Sequence, residues 1–193
     1  MIETPRLILR PLRAEDVELL FALDNDPEVM RWLNGGLPVS RATLIDSVLP
    51  TMLRAAERPP YLGVWVIQDR SNLKDIGWVS IFPGDIPGAA PTFGLRLKQH
   101  VWKQGFGVEA GSAILGAAFQ SEGVTLIAAT TYEANRGSRA LLGRLGFVEI
   151  ERFRYTTSEV SSPGTFVSGT GELWPGEDIR FELTDEAWHQ RRG

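Results

Sequence analysis

The sequence places a basic turn with two glycines between an alternating run and an apolar helical pattern. The turn is Lys103-Gln104-Gly105-Phe106-Gly107. Residues 92–98 before it alternate apolar and polar side chains, as in a half-buried strand, and from Val108 the apolar residues recur at helical spacing. Free N–H groups and the macrodipole at a helix N-terminus favour an anion, and glycine lets a ligand approach the main chain. The pattern predicts a phosphate site flanked by Lys103, although an ordinary strand-to-helix turn has the same spacing.

Few other residue types in the chain can support chemistry. The spacing of the turn fits neither a P-loop nor a G-x-G-x-x-G fingerprint. The chain has no cysteine, which excludes a cysteine nucleophile, a disulfide and a thiolate metal site. Its two histidines, His100 and His189, are far apart in the sequence, so we expect no metal. Catalysis must therefore use other groups, and His100 is expected to be an exposed loop residue.

Length and charge limit the class of protein. A chain of 193 residues with 43% hydrophobic and 23% charged residues is typical of one globular domain, here 1–193. The formal charge of -4 gives no general attraction to nucleic acid or anionic lipid. We find no leader-like amino terminus and no run of about 20 apolar residues. We therefore expect no nucleic-acid or membrane partner, and a cytoplasmic location.

The periodicities predict a mixed sheet with helices packed on it. Seven strands are expected, at residues 2–10, 61–68, 76–82, 92–97, 125–132, 147–155 and 179–183. Helices are expected from residue 14, over 27–33, over 40–57 with Ser40 as N-cap and a bend at Pro50, from residue 108, and over 135–145 with Gly146 as C-terminal cap. Residues 156–177 predict a long exposed loop. Trp65 and Trp78 are expected in the core, and Arg96 on a solvated strand face.

Four segments in order resemble one family. They are TPRLILRPLRAEDVELLFALDNDPEVMRWL, WKQGFGVEA, NRGSRALLGRLGF and FELTDEAW. Over nearly the whole chain they are similar to the GCN5-related N-acetyltransferases, the GNAT superfamily, and to its RimJ/RimL-like branch of ribosomal-protein alanine N-acetyltransferases. The resemblance implies an α/β (α+β) fold with a twisted, mostly antiparallel sheet that splays between the strands at 92–97 and 125–132. It also implies helices on both faces of the sheet, acetyl-CoA in the gap, an amine acceptor and a homodimer.

The resemblance also implies roles for individual residues. The N–H groups of residues 104–108 would hold the CoA pyrophosphate, and strand residues would pair with the pantetheine arm. Asn135 would bond the arm, Ser138 would offer its hydroxyl to the leaving thiolate, and Trp32 and Asn34 would line the acceptor pocket. The implied cofactor-binding residues are Leu95, Leu97, Lys103, Gln104, Gly105, Phe106, Gly107, Val108, Asn135, Ser138 and Arg139.

The chain departs from the family pattern at three positions. Trp102 replaces the glutamine or arginine that opens the phosphate turn, Leu142 replaces a tyrosine general acid, and Thr92 replaces a glutamate base. An ammonium must lose a proton before it can attack. We therefore expect Glu133 to serve as base, with Asp85 and Glu28 as alternatives.

Two functions remain open. The first is an acetyl-CoA-dependent transfer to a protein N-terminus or a small amine, by direct attack in a ternary complex. The second is a non-catalytic acyl-CoA-binding or sensing module, because the usual base and acid are missing.

Overall fold

The computed structural model describes residues 1–55, 62–83, 89–154 and 176–191. Its eight strands are β1 (Ile2–Glu3), β2 (Leu7–Pro11), β3 (Gly63–Asp69), β4 (Asp75–Phe82), β5 (Thr92–Leu97), β6 (Leu126–Tyr132), β7 (Val148–Phe153) and β8 (Asp178–Thr184). They form one sheet in the order β1-β2-β3-β4-β5-β6-β8-β7. The predicted mixed α/β architecture is confirmed.

The sequence predicted about seven strands because the first one reads as continuous over residues 2–10. It divides at Pro5, which has no N–H to give to a strand ladder. The Thr4 N–H donates to the Leu7 carbonyl oxygen at 2.9 Å, and the Leu7 N–H donates to Thr4 Oγ1 at 2.9 Å. This tight turn folds β1 back as an antiparallel partner of β2.

The sheet is antiparallel except at its centre. β5 and β6 run parallel and share one register pair, Thr92 with Ala128. Beyond that pair the two strands separate towards Leu97 and Tyr132, while β5 remains paired with β4 and β6 with β8 along their lengths. The splay therefore lies between the two strands for which the family resemblance implied it.

Helices cover both faces of this sheet. They are α1 (Val17–Asp24), α2 (Pro27–Asn34), α3 (Arg41–Thr43), α4 (Leu49–Ala55), α5 (Phe106–Phe119), α6 (Arg136–Leu145) and α7 (Asp185–Gln190). One core lies under α5, α6 and α7 and includes Ile114 and Trp65, whereas the other lies under α1 and α4 and includes Leu20 and Trp78. Trp65 and Trp78 are 8% and 4% exposed, so the prediction that both are core residues is confirmed.

Two predicted caps are confirmed: Ser40 Oγ accepts from the Thr43 N–H at 3.0 Å, and Gly146 ends α6 at φ 101°. A third cap was not predicted: Asn135, expected as the first residue of the helix, lies just before α6, and its Oδ1 accepts from the Ser138 N–H at 3.1 Å. The predicted bend at Pro50 corresponds to a π-helical turn, Leu44–Val48, that joins α3 to α4. A proline in the first turn of α4 has no N–H to donate back, which accommodates the wider turn.

Three sequence expectations are corrected. Helix α5 begins at Phe106 rather than Val108, and α7 was not expected. Most of the predicted 156–177 loop, like residue 85, lies outside the described residues. The prediction of a solvated Arg96 is wrong: it is 8% exposed, because its guanidinium pairs with buried Asp24 at 2.5 Å and lies 5.2 Å from the Trp78 ring centroid.

Candidate functional site

The splay between β5 and β6 opens into a cleft of about 1360 Å³. The cleft extends from the start of α5, past α6, to the surface that α2 and α4 cover, and its lining includes residues from all four of these helices and from β4, β5, β6 and β8. Its volume exceeds the roughly 300–1,000 Å³ of a typical single-ligand pocket. A long ligand and a second molecule can therefore occupy it together.

The anion end of the cleft is the N-terminus of α5. Gly105 is the N-cap at φ 85°, a left-handed conformation that favours glycine. The first intrahelical bond runs from the Glu109 N–H to the Gly105 carbonyl at 3.0 Å, so the N–H groups of Phe106, Gly107 and Val108 have no partner within the helix. These three residues and Lys103 line the cleft. The geometry suits a phosphate group.

A network from the first strands holds this turn in place. Thr4 Oγ1 and the Arg6 N–H both donate to Glu109 Oε1, at 2.6 and 2.9 Å, and Arg6 Nε donates to Glu109 Oε2 at 2.7 Å. Arg6 Nη1 donates to the Gln104 carbonyl at 3.0 Å, and its guanidinium lies 4.4 Å from the Phe106 ring centroid. Arg6 and Glu109 therefore fix the phosphate turn to the sheet edge, a contact that sequence reasoning missed.

These contacts lower the pKa of the Glu109 carboxyl group. Burial disfavours its charged form, but the hydrogen bonds from Thr4 and from the Arg6 main chain and side chain outweigh burial, and the pKa of Glu109 is lowered. A lowered folded-state pKa contributes stability above the ordinary glutamate value of about 4.3, and this contribution is lost as the pH falls through the folded pKa.

Glu109→Gln is expected to lower the free energy of unfolding by about 1–3 kcal/mol at pH 7, because it weakens bonds made to a charged acceptor. The difference from the wild type should shrink below about pH 4.3. Urea unfolding at pH 7 and at low pH measures it. The matched control is Glu122→Gln on an exposed residue, and a difference that does not change with pH would contradict the assignment.

The long wall of the cleft is made by β5 and α6. Leu95 and Leu97 of β5 and Leu141 of α6 line it, together with Asn135 and Ser138. Since β5 has only one register pair with β6, its edge facing the cleft offers N–H and C=O groups to a ligand. Buried Leu142 lies at the position that the family resemblance assigned to a tyrosine.

Of the predicted site residues whose side chains the structure describes, three do not line the cleft. Gln104 gives its side-chain amide to the His100 carbonyl at 2.7 Å, and Arg139 donates to the Glu133 carbonyl at 3.1 Å. The Glu133 carboxylate accepts from the Glu177 N–H at 3.2 Å and lies 3.5 Å from Arg152. Two other arginines of α6 that were not predicted, Arg136 and Arg144, line the cleft instead of Arg139.

The opposite end of the cleft lies under α2. Trp32 stacks on Tyr132 of β6 with ring centroids 5.6 Å apart, and both residues line the cleft. Asn34 is the last residue of α2. Glu28, one of the alternative bases, also lines this end, but its side chain is 55% exposed and lies 3.6 Å from Arg31.

The floor of the cleft carries a buried hydroxyl. Ser80 is fully buried, and its Oγ has no hydrogen-bond partner in the described part of the chain. A Cβ at the cross-strand neighbour Gly94 would lie 2.9 Å from this oxygen, so glycine keeps the floor open beside it. The floor therefore holds a polar group that a bound molecule can satisfy.

Asp178, the first residue of β8, is the second carboxylate that lines the cleft within the described residues. Burial raises the pKa of Asp178, and no described residue donates a hydrogen bond to its carboxylate or forms an ion pair with it. Sequence reasoning did not select it.

No helix within residues 1–55, 62–83, 89–154 or 176–191 is both long and apolar enough to cross a membrane.

Comparisons with known proteins agree with this fold. FsC-acetyl coenzyme A-N(2)-transacetylase of Aspergillus fumigatus is 28% identical over 194 residues, which cover 97% of this chain and 77% of that protein. The spermidine N-acetyltransferase of Vibrio cholerae superposes with a TM-score of 0.72 at 16% identity, covering 96% of this chain and 99% of that one. The ribosomal-protein-S5-alanine acetyltransferase of Vibrio fischeri superposes with a TM-score of 0.68 at 17% identity, covering 96% of this chain and 97% of that one.

The family itself is established by a match to the model of the acetyltransferase (GNAT) domain, which spans residues 6–148. This range contains the splayed strands, the phosphate turn and α6. The chain therefore belongs to the GNAT acetyltransferase family, whose members use acetyl-CoA.

Proposed function

We propose that the protein transfers the acetyl group of acetyl-CoA to a primary amine by direct attack in a ternary complex. The observation that carries this proposal is the continuous cleft, which joins the start of α5 to the surface under α2 through the splay. One end suits a pyrophosphate and the other has room for an acceptor. The absence of cysteine from the chain removes the acyl-cysteine route.

The residues have separate roles in this proposal. The N–H groups of Phe106, Gly107 and Val108, with Lys103, hold the pyrophosphate, while Leu95 and Leu97 offer a strand edge to the pantetheine arm. Acetyl-CoA supplies a thioester whose carbonyl gains negative charge on attack. A β5 main-chain N–H donates to that oxygen. Arg136 and Arg144 add positive charge along the same wall.

The Ser138 hydroxyl is assigned to the leaving thiolate. Ser138 lies in the first turn of α6 and lines the cleft. Its main-chain N–H donates a hydrogen bond to Asn135 Oδ1 at 3.1 Å. Ser138→Ala is expected to lower kcat about tenfold, at the low end for a proton donor because water can replace the hydroxyl, and to leave the Kd of CoA within twofold. Steady-state kinetics and calorimetry measure these values, and an unchanged kcat would remove Ser138 from the mechanism.

The acceptor is either a small amine or a protein N-terminus. The names of the relatives supply three probes: FsC, spermidine and a peptide that begins with alanine. Release of CoA thiol should be measured with each of them at neutral and raised pH. The RimJ/RimL-like branch predicts turnover of the peptide. Preference for spermidine or FsC would instead place the protein among small-amine acetyltransferases.

The alternative is a non-catalytic acyl-CoA-binding module. It is favoured by buried Leu142 and exposed Thr92, where the family resemblance expects an acid and a base. Tight binding of acetyl-CoA without thiol release on any of the three probes would support this alternative over the transferase.

A further inference from the structure

Asp178 lies where the splay opens towards the acceptor end of the cleft. It is paired with Tyr132 of β6 and Phe153 of β7. Along β8 the alternate residues Ile179 and Phe181 enter the core beneath α5, so Asp178 points to the other face of the sheet, towards α2. Tyr132 shares that face and stacks under Trp32 of α2.

Asp178 differs from the other carboxylates near the cleft in its burial and in its lack of an ion-pair partner among the described residues. Glu28 is mostly exposed beside Arg31, and Glu133 is bound by Arg152 and the Glu177 N–H. Asp178 is half-buried without a counter-ion among the described residues, and burial raises its pKa. A carboxylate in this state attracts a cation and has a higher proton affinity than an exposed aspartate.

The elements around Asp178 carry few other titratable or charged groups that line the cleft. They are Tyr132 on β6, Glu28 and Arg31 on α2, Arg136 at the start of α6 and Arg154 after β7. Arginine stays protonated over the working pH range. Glu28 and Tyr132 are therefore the other ionisable groups on this part of the cleft whose charge is not fixed.

We propose that Asp178 is the general base that receives the proton of the acceptor ammonium, directly or through one water. This inference rests on the proposed acetyl transfer and defines its acceptor as a cationic primary amine. An N–H bond breaks and an O–H bond forms on the carboxylate, which frees the nitrogen lone pair. The nitrogen then bonds to the thioester carbon, the C–S bond breaks, and the thiolate takes a proton from Ser138 or water. The nitrogen loses its second proton as the amide forms, and that proton returns through solvent to the Ser138 alkoxide or the hydroxide. Asp178 finally releases its proton to solvent.

The test compares Asp178→Asn with the wild type in thiol release, using FsC, spermidine and the alanine peptide over a range of pH. Near pH 7 kcat should fall about a hundredfold, within the range for a general base, and the Kd of CoA should change less than twofold. The deficit should shrink as the pH approaches the pKa of the acceptor amine, because more of the acceptor is then deprotonated in solution. Asp178→Glu should recover part of the rate.

The matched control is Glu182→Gln, the same change of carboxylate to amide on the same face of β8, where the residue pairs with Arg180 outside the cleft. It should keep the wild-type rate. Unchanged kcat in Asp178→Asn, or a deficit that is equal at every pH, overturns the proposal for Asp178 while the transferase stands. A wild type that binds CoA but releases no thiol overturns the transferase, and the base assignment with it.

Discussion

Gly107→Trp is expected to weaken CoA binding by about 100-fold or more, equivalent to about 2.7 kcal/mol. Gly107 lies in the first turn of α5, and an added Cβ would already be 3.4 Å from Leu141 and 3.5 Å from Leu97. The rest of an indole must therefore enter the space between β5 and α6, where the proposal places the ligand. Calorimetric titration with CoA measures the loss.

The control for this variant is Gly143→Trp on the exposed side of α6, where no atom lies within 4 Å of an added Cβ. It introduces the same side chain outside the cleft and should bind CoA as the wild type does. Thermal unfolding of both variants separates ligand exclusion from misfolding. Wild-type affinity in a folded Gly107→Trp protein would remove the cleft as the CoA site.

The parts of the site that sequence alone predicted depend on neighbours within a few positions. The turn at Gly105, the start of α6 beside Asn135 and the end of α6 at Gly146 each follow from local backbone chemistry. The missed helix α7 had such a signal too, because Thr184 precedes two acidic residues and its Oγ1 accepts from the Ala187 N–H at 3.2 Å. The predicted last strand ended at residue 183, and no element was assigned after it.

The parts that sequence did not predict are contacts between distant segments. Arg6 and Glu109 are separated by 103 positions, and each of them has the pattern of an ordinary surface residue. Their pairing depends on β2 and α5 packing together, which no local pattern encodes. The anchor of the phosphate turn was therefore visible only in the fold.

The general base also could not be predicted from local sequence, because its identity depends on which face of the sheet a side chain takes. Glu133 was predicted because it follows the strand at the splay, but side chains alternate faces and Tyr132 takes the cleft side. The Glu133 carboxylate lies instead beside Arg152. Asp178 shares the face of Tyr132 because the antiparallel register of β6 and β8 pairs the two residues, and that register is not readable from either strand.

Asp24→Ala is expected to destabilise the protein by about 3–5 kcal/mol, the range for removing one partner of a buried ion pair. Asp24 is 4% exposed and ends α1, where the helix dipole disfavours a carboxylate, so Arg96 is its main compensation. The variant leaves the Arg96 guanidinium buried and unpaired.

Asp24→Leu with Arg96→Met should recover most of the loss, since neither charge then remains. Urea unfolding measures both, with exposed Asp46→Ala as control, and a single variant within about 1 kcal/mol of the wild type would contradict a structural role for the pair.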